Sequence, residues 1–414
     1  LGLIRTKAEP QEDGTYRISG NKIWITSGEH DLADNIIHFV LAKLPDAPEG
    51  TKGIIAFLVP KFLDDGTRND ARCTGIEHKM GIHASPTCEM TFDGAEGYLV
   101  GEPNEGMKSM FVMMNEARLK VGIEGPALGE IAYQTALKWA KQRRQSRSLD
   151  PDKREEDEDA DPIMVHPDVR RMFADVKASN EGMRALATWV AILLDISHEH
   201  PDEETAREAD DLVALLTPII KAYCSEQGFE NVSEAMQITG GSGYTRDMHI
   251  EQYLRDIRIA MIYEGTNHIQ ALDLVGRKLP KDDGRLFRTF QSKVTDLIRR
   301  ASEIDELEEF VEPLKDASKL LSELTMQLGA KAADDREQAG AAASNYLKLF
   351  GHVAVGYAWL RQLAYAVEND HPKAETKRKT ARYFFRMVLP EIESLATVIE
   401  EGKEHMMAFD RDEF

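Results

Sequence analysis

"GYLVGEPNEGMKSMFVMM", residues 97–114, is where the chain changes character. Up to Val100 the apolar residues come in short β-branched and aromatic runs. Beyond Pro103 they recur at helical spacing, at Met107, Met110, Phe111 and Met114, then at Val121 and Ile123. Upstream, "TYRISGNKIWITSG" (15–28) reads as two β-rich runs around Ser19-Gly20-Asn21, a hairpin signal. "NIIHFVLAKL" (35–44) and "GIIAFLVPKF" (53–62) are further strand candidates, and "CEMTFDGAEGYLVG" (88–101) closes the set. Strands followed by helices predict an α+β chain: a small antiparallel β-barrel or sandwich, an all-α helical bundle, and an additional C-terminal helical region. The expected divisions are 1–101, 102–280 and 281–414.

Downstream the helical pattern resumes at Pro167, a residue suited to a first helical turn. A long helix is expected from about Glu204 to Gln237, stopped by "GGSGY" (240–244). Wide apolar faces return at 306–329, 341–370 and 381–402, with Pro390 as an expected kink. Residues 150–161 carry eight acids and two bases and read as a solvated loop.

With 414 residues the chain is long enough for two or three domains. A net charge of −21 sets it against nucleic acid and anionic membrane as default partners. Three cysteines, Cys73, Cys88 and Cys224, far apart in the sequence and without a C-x-x-C pair, predict neither a disulfide framework nor a metal site. A reducing, cytoplasmic setting fits. No apolar run is long enough for a transmembrane helix, and "LGLIRTKAEP" has no leader pattern.

"AMIYEGTNHIQ" (260–270) carries the sharpest chemical signal. A carboxylate flanked by apolar and aromatic residues is desolvated and becomes a stronger base. Gly265 allows close backbone approach, and Thr266 offers a hydroxyl where a helix begins. The competing reading of Glu264 is an ordinary acid in the first helical turn. Gly240, Gly241 and Gly243 supply bare amide groups that suit a phosphate, with Gln237 one turn earlier; the same pattern also serves as a helix breaker. Arg143, Arg144 and Arg147 offer planar forks for phosphate or, alternatively, complement a helix C-terminus. Trp24 offers an indole face, with Thr26 and Ser27 beside it, or else is a core tryptophan. His166, His249 and His268 read as structural or surface residues. No nucleophile elbow, zinc-binding helix or P-loop is present.

In order along the chain, "KIWITSG" (22–28), "MGIHASPTCEMTF" (80–92), "QITGGSGY" (237–244) and "RDIRIAMIYEGTNHIQ" (255–270) resemble the acyl-CoA dehydrogenase family. "GEHDLADNIIHFVLAKLPDAPEGTKG" (28–53), "DPIMVHPDVRRM" (161–172) and the later helices resemble its large bacterial subgroup. That subgroup includes 3-methylmercaptopropionyl-CoA dehydrogenase-like and long-chain-type enzymes. The resemblance implies FAD as cofactor and dehydrogenation of an acyl-CoA thioester to the trans-2-enoyl-CoA. Glu264 would remove the α-proton and the β-hydrogen would leave as hydride to flavin N5. It assigns Trp24, Thr26 and Thr266 to the flavin, Arg143 and Gln145 to the FAD of a neighbouring subunit, and Gln237, Gly240 and Gly241 to the region of that cofactor's phosphates. Arg118 and Gly265 fall to the substrate side. Some members carry the base on the earlier helix, where this chain has Ala117 next to Glu116. It also implies an electron-transferring flavoprotein as acceptor and a homodimer or higher homo-oligomer. The family's N-terminal helical domain and its T-E-P…G-S-D segment are expected to be absent from this chain, and His83 stands where many members have arginine. Two alternatives differ in kind: an acyl-CoA oxidase using oxygen, and a non-catalytic helical assembly remnant.

Overall fold

A computed structural model describes residues 1–414. Six strands come first: β1 (Lys7–Pro10), β2 (Tyr16–Thr26), β3 (Ile37–Ala42), β4 (Ile55–Pro60), β5 (Ala71–Ile76) and β6 (Thr87–Val100). Eleven α-helices follow: α1 (Gly106–Ala140), α2 (Pro167–Glu199), α3 (Glu203–Ile219), α4 (Ser225–Thr239), α5 (Ile250–Ile257), α6 (Asn267–Asp273), α7 (Arg285–Ala301), α8 (Glu308–Asp334), α9 (Arg336–Glu368), α10 (Ala374–Tyr383) and α11 (Glu391–Glu401). The chain forms two compact units, Leu1–Ala117 and Arg118–Phe414. The α+β expectation is met, with the switch inside the stretch 97–114.

The sheet is antiparallel throughout, in the order β1-β2-β6-β4-β3, with β5 on β6. Its two ends meet. Lys7 bridges Lys43, and the Ala8 amide donates to the Lys43 carbonyl at 2.9 Å. The strand edges are thereby largely consumed, which is how small barrels avoid open pairing surfaces. Alternate residues Ala8, Ile18, Val40, Ile55, Phe57, Val59, Met90 and Phe92 fill the interior.

The hairpin expected at Ser19-Gly20-Asn21 is not there; these residues lie inside the single strand β2. Gly20 is required for another reason. Its φ is +145°, and a Cβ would sit 2.9 Å from the Cα of Thr6, the residue that leads into β1. A glycine within a strand marks either a turn or a close backbone approach, and here the segment entering the neighbouring strand decides. The hairpin joins β1 to β2 instead, turning at Gln11–Thr15. β5 carries no apolar alternation and has no counterpart among the strand candidates. It also brings Cys73 beside Cys88 on β6, both as free thiols, although the two are distant in sequence.

In the helical unit the largest core runs from Leu119 and the inner face of α2 through α3, α7, α8 and α9 to α11. α9 is the central element, with Tyr346, Phe350 and Trp359 fully buried. The expected helix at 204–237 is continuous but contains a π-helical turn, Ile220–Cys224, between α3 and α4. Further π turns occur at Leu274–Lys278 after α6 and at Phe384–Val388 before the break at Pro390. The Tyr223 hydroxyl, on the first π turn, lies 3.1 Å from His352 Nδ1 on α9, and His352 Nε2 lies 3.1 Å from Glu391 on α11. The acidic loop is largely exposed, but Asp161 is buried. It accepts from the amides of Ser148 (2.6 Å) and Glu155 (2.8 Å) and pairs with Arg147 at 3.5 Å. No helix is long and apolar enough to cross a membrane.

Candidate active site

Glu264 lies outside any helix. α6 begins at Asn267, and its N-cap is Thr266, whose hydroxyl accepts from the Ile269 amide at 3.3 Å. The first-turn reading of Glu264 is therefore excluded, because the acid precedes the cap. Its backbone is left-handed, with φ +56°, and Gly265 follows at φ +87°. A bulky L-residue at positive φ carries strain that surrounding contacts must hold. Those contacts are visible. The Gln270 side-chain amide, fully buried, donates to the Glu264 carbonyl (3.1 Å) and the Gly265 carbonyl (3.4 Å). A Cβ on Gly265 would meet that amide nitrogen at 2.7 Å. The amide N–H of Glu264 makes no hydrogen bond within the chain, so the turn presents an unengaged donor beside the carboxylate.

Charged groups from three directions surround this turn. Arg118 on α1 is only 6% exposed. Its guanidinium lies 3.5 Å from Asp273, whose other oxygen takes Arg277 at 2.6 Å. Burial lowers the Arg118 pKa, while the Asp273 and Glu264 charges oppose that. Glu124, also on α1, accepts the Tyr263 hydroxyl at both oxygens, 2.6 and 2.7 Å away. Burial pushes the Glu124 carboxyl up, against the pull of Tyr263 and Lys221. Tyr263 is raised in turn by burial and by that carboxylate. Lys221 enters from the π turn, its side chain fully buried. It donates to the Gly265 carbonyl at 2.6 Å and to Asn267 Oδ1 at 3.2 Å. Burial, with help from Arg118, pushes Lys221 down to about 8. The cluster thus holds three carboxylates, Glu124, Glu264 and Asp273, around two buried cations, Arg118 and Lys221. Low local dielectric makes such charges act strongly on one another.

Arg118, Glu264, Gly265 and Thr266 come together as the sequence suggested. Lys221, Glu124, Gln270 and Asp273 were missed. A lysine or glutamate inside a helical pattern ordinarily reads as surface; Lys221 is carried inward by the π turn, Glu124 by the middle of α1, and Gln270 and Asp273 by the last turn of α6.

The other candidates stand apart within the chain. Gly240 and Gly241 follow α4, on the order of 20 Å from the π turn at ~1.5 Å per residue. Gly240 closes the helix at φ +57°, and a Cβ on either glycine would meet nothing within 4 Å. Their backbone is open to a ligand, and Gln237 beside them is exposed. Gly243 differs: a Cβ there would collide with Thr239 at 1.9 Å, so it is a packing residue. Past the end of α1, Arg144 pairs with Glu155 and Arg147 with Asp161, both consumed by the acidic loop. Arg143 and Gln145 stay exposed and face each other at 3.3 Å.

In the β unit, Trp24 is not a core residue. It is 63% exposed and left-handed at φ +63°. The pairing of β2 with β6 passes from Lys22↔Met90 to Ile25↔Cys88, one residue extra on β2, so a β-bulge turns the indole outward. Thr26 is exposed at the strand end, and Ser27 continues at φ +52°.

Three family models match in succession: "Acyl-CoA dehydrogenase, middle domain" over 1–95, "Acyl-CoA dehydrogenase, C-terminal domain" over 104–279, and "Acetyl-CoA dehydrogenase C-terminal like" over 290–410. A 3-methylmercaptopropionyl-CoA dehydrogenase of Ruegeria pomeroyi is 42% identical, aligning 94% of this chain with 68% of its own length. Among solved structures, Caenorhabditis elegans ACDH-11 in complex with C11-CoA superposes with a TM-score of 0.80 at 21% identity, covering 93% of this chain and 61% of that one. An acyl-CoA dehydrogenase from Bacillus anthracis complexed with FAD gives 0.76 at 22% identity, covering 99% and 66%. These two establish a shared fold. The successive family models and the bacterial relative together place this chain in the acyl-CoA dehydrogenase family.

Proposed function

We propose that the chain carries the catalytic turn and much of the cofactor surface of an FAD-dependent acyl-CoA dehydrogenase, with Glu264 as the base that removes the α-proton of the thioester. The observation that carries this reading is the conformation at 264–265: a left-handed acid outside the helix, with its own amide N–H unengaged. An α-proton next to a thioester is weakly acidic until the carbonyl is polarised, so a base and a donor must be supplied together. One residue offers both here. Arg118, buried against Asp273, adds positive potential where negative charge develops on the carbonyl oxygen, and Gly265 keeps side-chain bulk away from that approach.

The residues present fit FAD. Trp24 offers an exposed ring face beside the Thr26 hydroxyl, and Thr266 keeps its hydroxyl hydrogen for a further acceptor while capping α6. Gly240 and Gly241 offer open backbone beside Gln237, and exposed Arg143, leaning on Gln145, keeps donors to spare; these five suit the diphosphate region of a cofactor held by a neighbouring subunit. FAD, when bound, supplies the hydride acceptor. What this chain's own residues do is accept the proton at the Glu264 carboxylate and donate to the thioester oxygen from the Glu264 amide. The product is a trans-2-enoyl-CoA. On this reading the protein is a cytoplasmic homodimer or larger homo-oligomer that serves acyl-CoA β-oxidation and passes electrons to an electron-transferring flavoprotein. The three model matches support a division at 1–101, 102–280 and 281–414.

The test is bleaching of bound flavin by a panel of acyl-CoAs, sulfur-containing, straight and branched. Glu264→Gln is expected to keep the flavin and lose bleaching by about 10²–10⁴-fold, the range of a general base. Bleaching at the normal rate by that variant would remove Glu264 from the mechanism.

A further inference from the structure

The π turn at Ile220–Cys224 and the turn at 264–267 are locked to each other by reciprocal bonds. Lys221 donates to the Gly265 carbonyl and to Asn267 Oδ1. Asn267 returns a bond from its Nδ2 to the Ala222 carbonyl at 3.1 Å, and Ser225 Oγ reaches Asn267 Oδ1 at 3.3 Å. A π turn widens the helix by one residue and leaves carbonyls available for partners outside the helical ladder, which is how such turns come to serve sites. A fully buried lysine is costly unless its ammonium is engaged. Two of its three donors are spent here on the turn that carries Glu264. Methionine would fill the volume without the bonds, and arginine would overfill it.

We propose that Lys221 is a positioning residue for the candidate base: by holding the Gly265 carbonyl it keeps Glu264 in its left-handed conformation and sets a cation beside the Glu264 and Glu124 carboxylates. This rests on the reading of Glu264 as the base. Four groups face the lysine from other elements. Arg118 and Glu124 come from α1, and Glu264 and Asn267 from the turn.

The lock is tested without turnover by hydrogen–deuterium exchange over a peptide spanning 262–270, in the holoprotein. Lys221→Met is expected to speed exchange there and leave the α9 core protected. Asn267→Ala, which removes the other half of the lock at a less buried position, is expected to act in the same direction if Lys221→Met folds poorly. In turnover, Lys221→Met should lower kcat by about 10²-fold, the cost of a base displaced by roughly an ångström. Affinity for a non-reactive thioether analogue of acyl-CoA should not change. Unchanged exchange at 262–270 in both variants overturns the proposal whatever the activity. So does an unchanged kcat in folded Lys221→Met when Glu264→Gln is inactive. A fully active Glu264→Gln instead refutes the base assignment, and the lock is then decided by exchange alone.

Discussion

Replacing Gly265 by alanine tests the reasoning about the 264–267 turn most directly. Two costs add. The backbone sits at φ +87°, where an L-residue pays roughly 1–2 kcal/mol. The new Cβ lies 2.7 Å from Gln270 Nε2, so the amide must withdraw. Gln270 is fully buried, so its displaced amide finds no water. The bond to the Glu264 carbonyl at 3.1 Å is lost, and a buried donor left without a partner costs about 1–3 kcal/mol. The 3.4 Å contact with Gly265 is weak and adds little. The sum is about 2–5 kcal/mol of local stability, or roughly 30- to 4,000-fold faster opening at 1.4 kcal/mol per decade. Amide exchange at residues 264–268 reads that factor, with α9 as internal reference. Gly241→Ala is the control: its Cβ meets nothing within 4 Å, so stability should hold within about 0.5 kcal/mol. An exchange rate at 264–268 in Gly265→Ala within threefold or so of the parent would mean the turn is not held as described.

Other expectations concern charge. Asp273→Asn takes a buried counter-charge from Arg118 and from Arg277 together, and with Glu264 left nearby as an opposing charge the loss should fall within the ~3–5 kcal/mol range for breaking a buried pair; a loss under about 1 kcal/mol in urea unfolding, followed at the helical unit, would show the pair to be dispensable. Glu391 is held down to about 2, first by His352 and then by Lys348 at 2.7 Å. Its folded pKa lies below the ordinary 4.5, so its contribution is whole above 4.5 and disappears as the pH falls toward 2. The gap in thermal midpoint between the parent and Glu391→Gln should therefore narrow steadily on acidification. A pH-independent gap would argue against the linkage.

The strand-to-helix switch at 97–114 and the turn at 264–266 were legible because each is written locally, in apolar spacing and in a Gly-Thr pair that caps a helix. Gly20 was misread because the residue that requires it, Thr6, lies in a separate segment, just ahead of β1. β5 was missed because its sequence, ARCTGI, lacks the alternation that marks a half-buried strand. Trp24 could be read either way until the extra residue in β2 was seen, since a bulge depends on the partner's register. Lys221 had no signal at all. A lysine in "PIIKAYC" reads as the polar position of a helix, and nothing in composition announces that the next bonds skip from four residues to five.

That skip makes the length of the segment, more than its composition, the property under constraint. The π turn absorbs one extra residue, so taking one out of Ile220–Cys224 would let the rod relax to ordinary winding with its two halves still in register, but it would turn Lys221 and the Ala222 carbonyl away from the 264–267 turn they hold. Insertions and deletions are usually tolerated in connecting loops; here a single-codon deletion in mid-helix would be as damaging as losing the acid it supports.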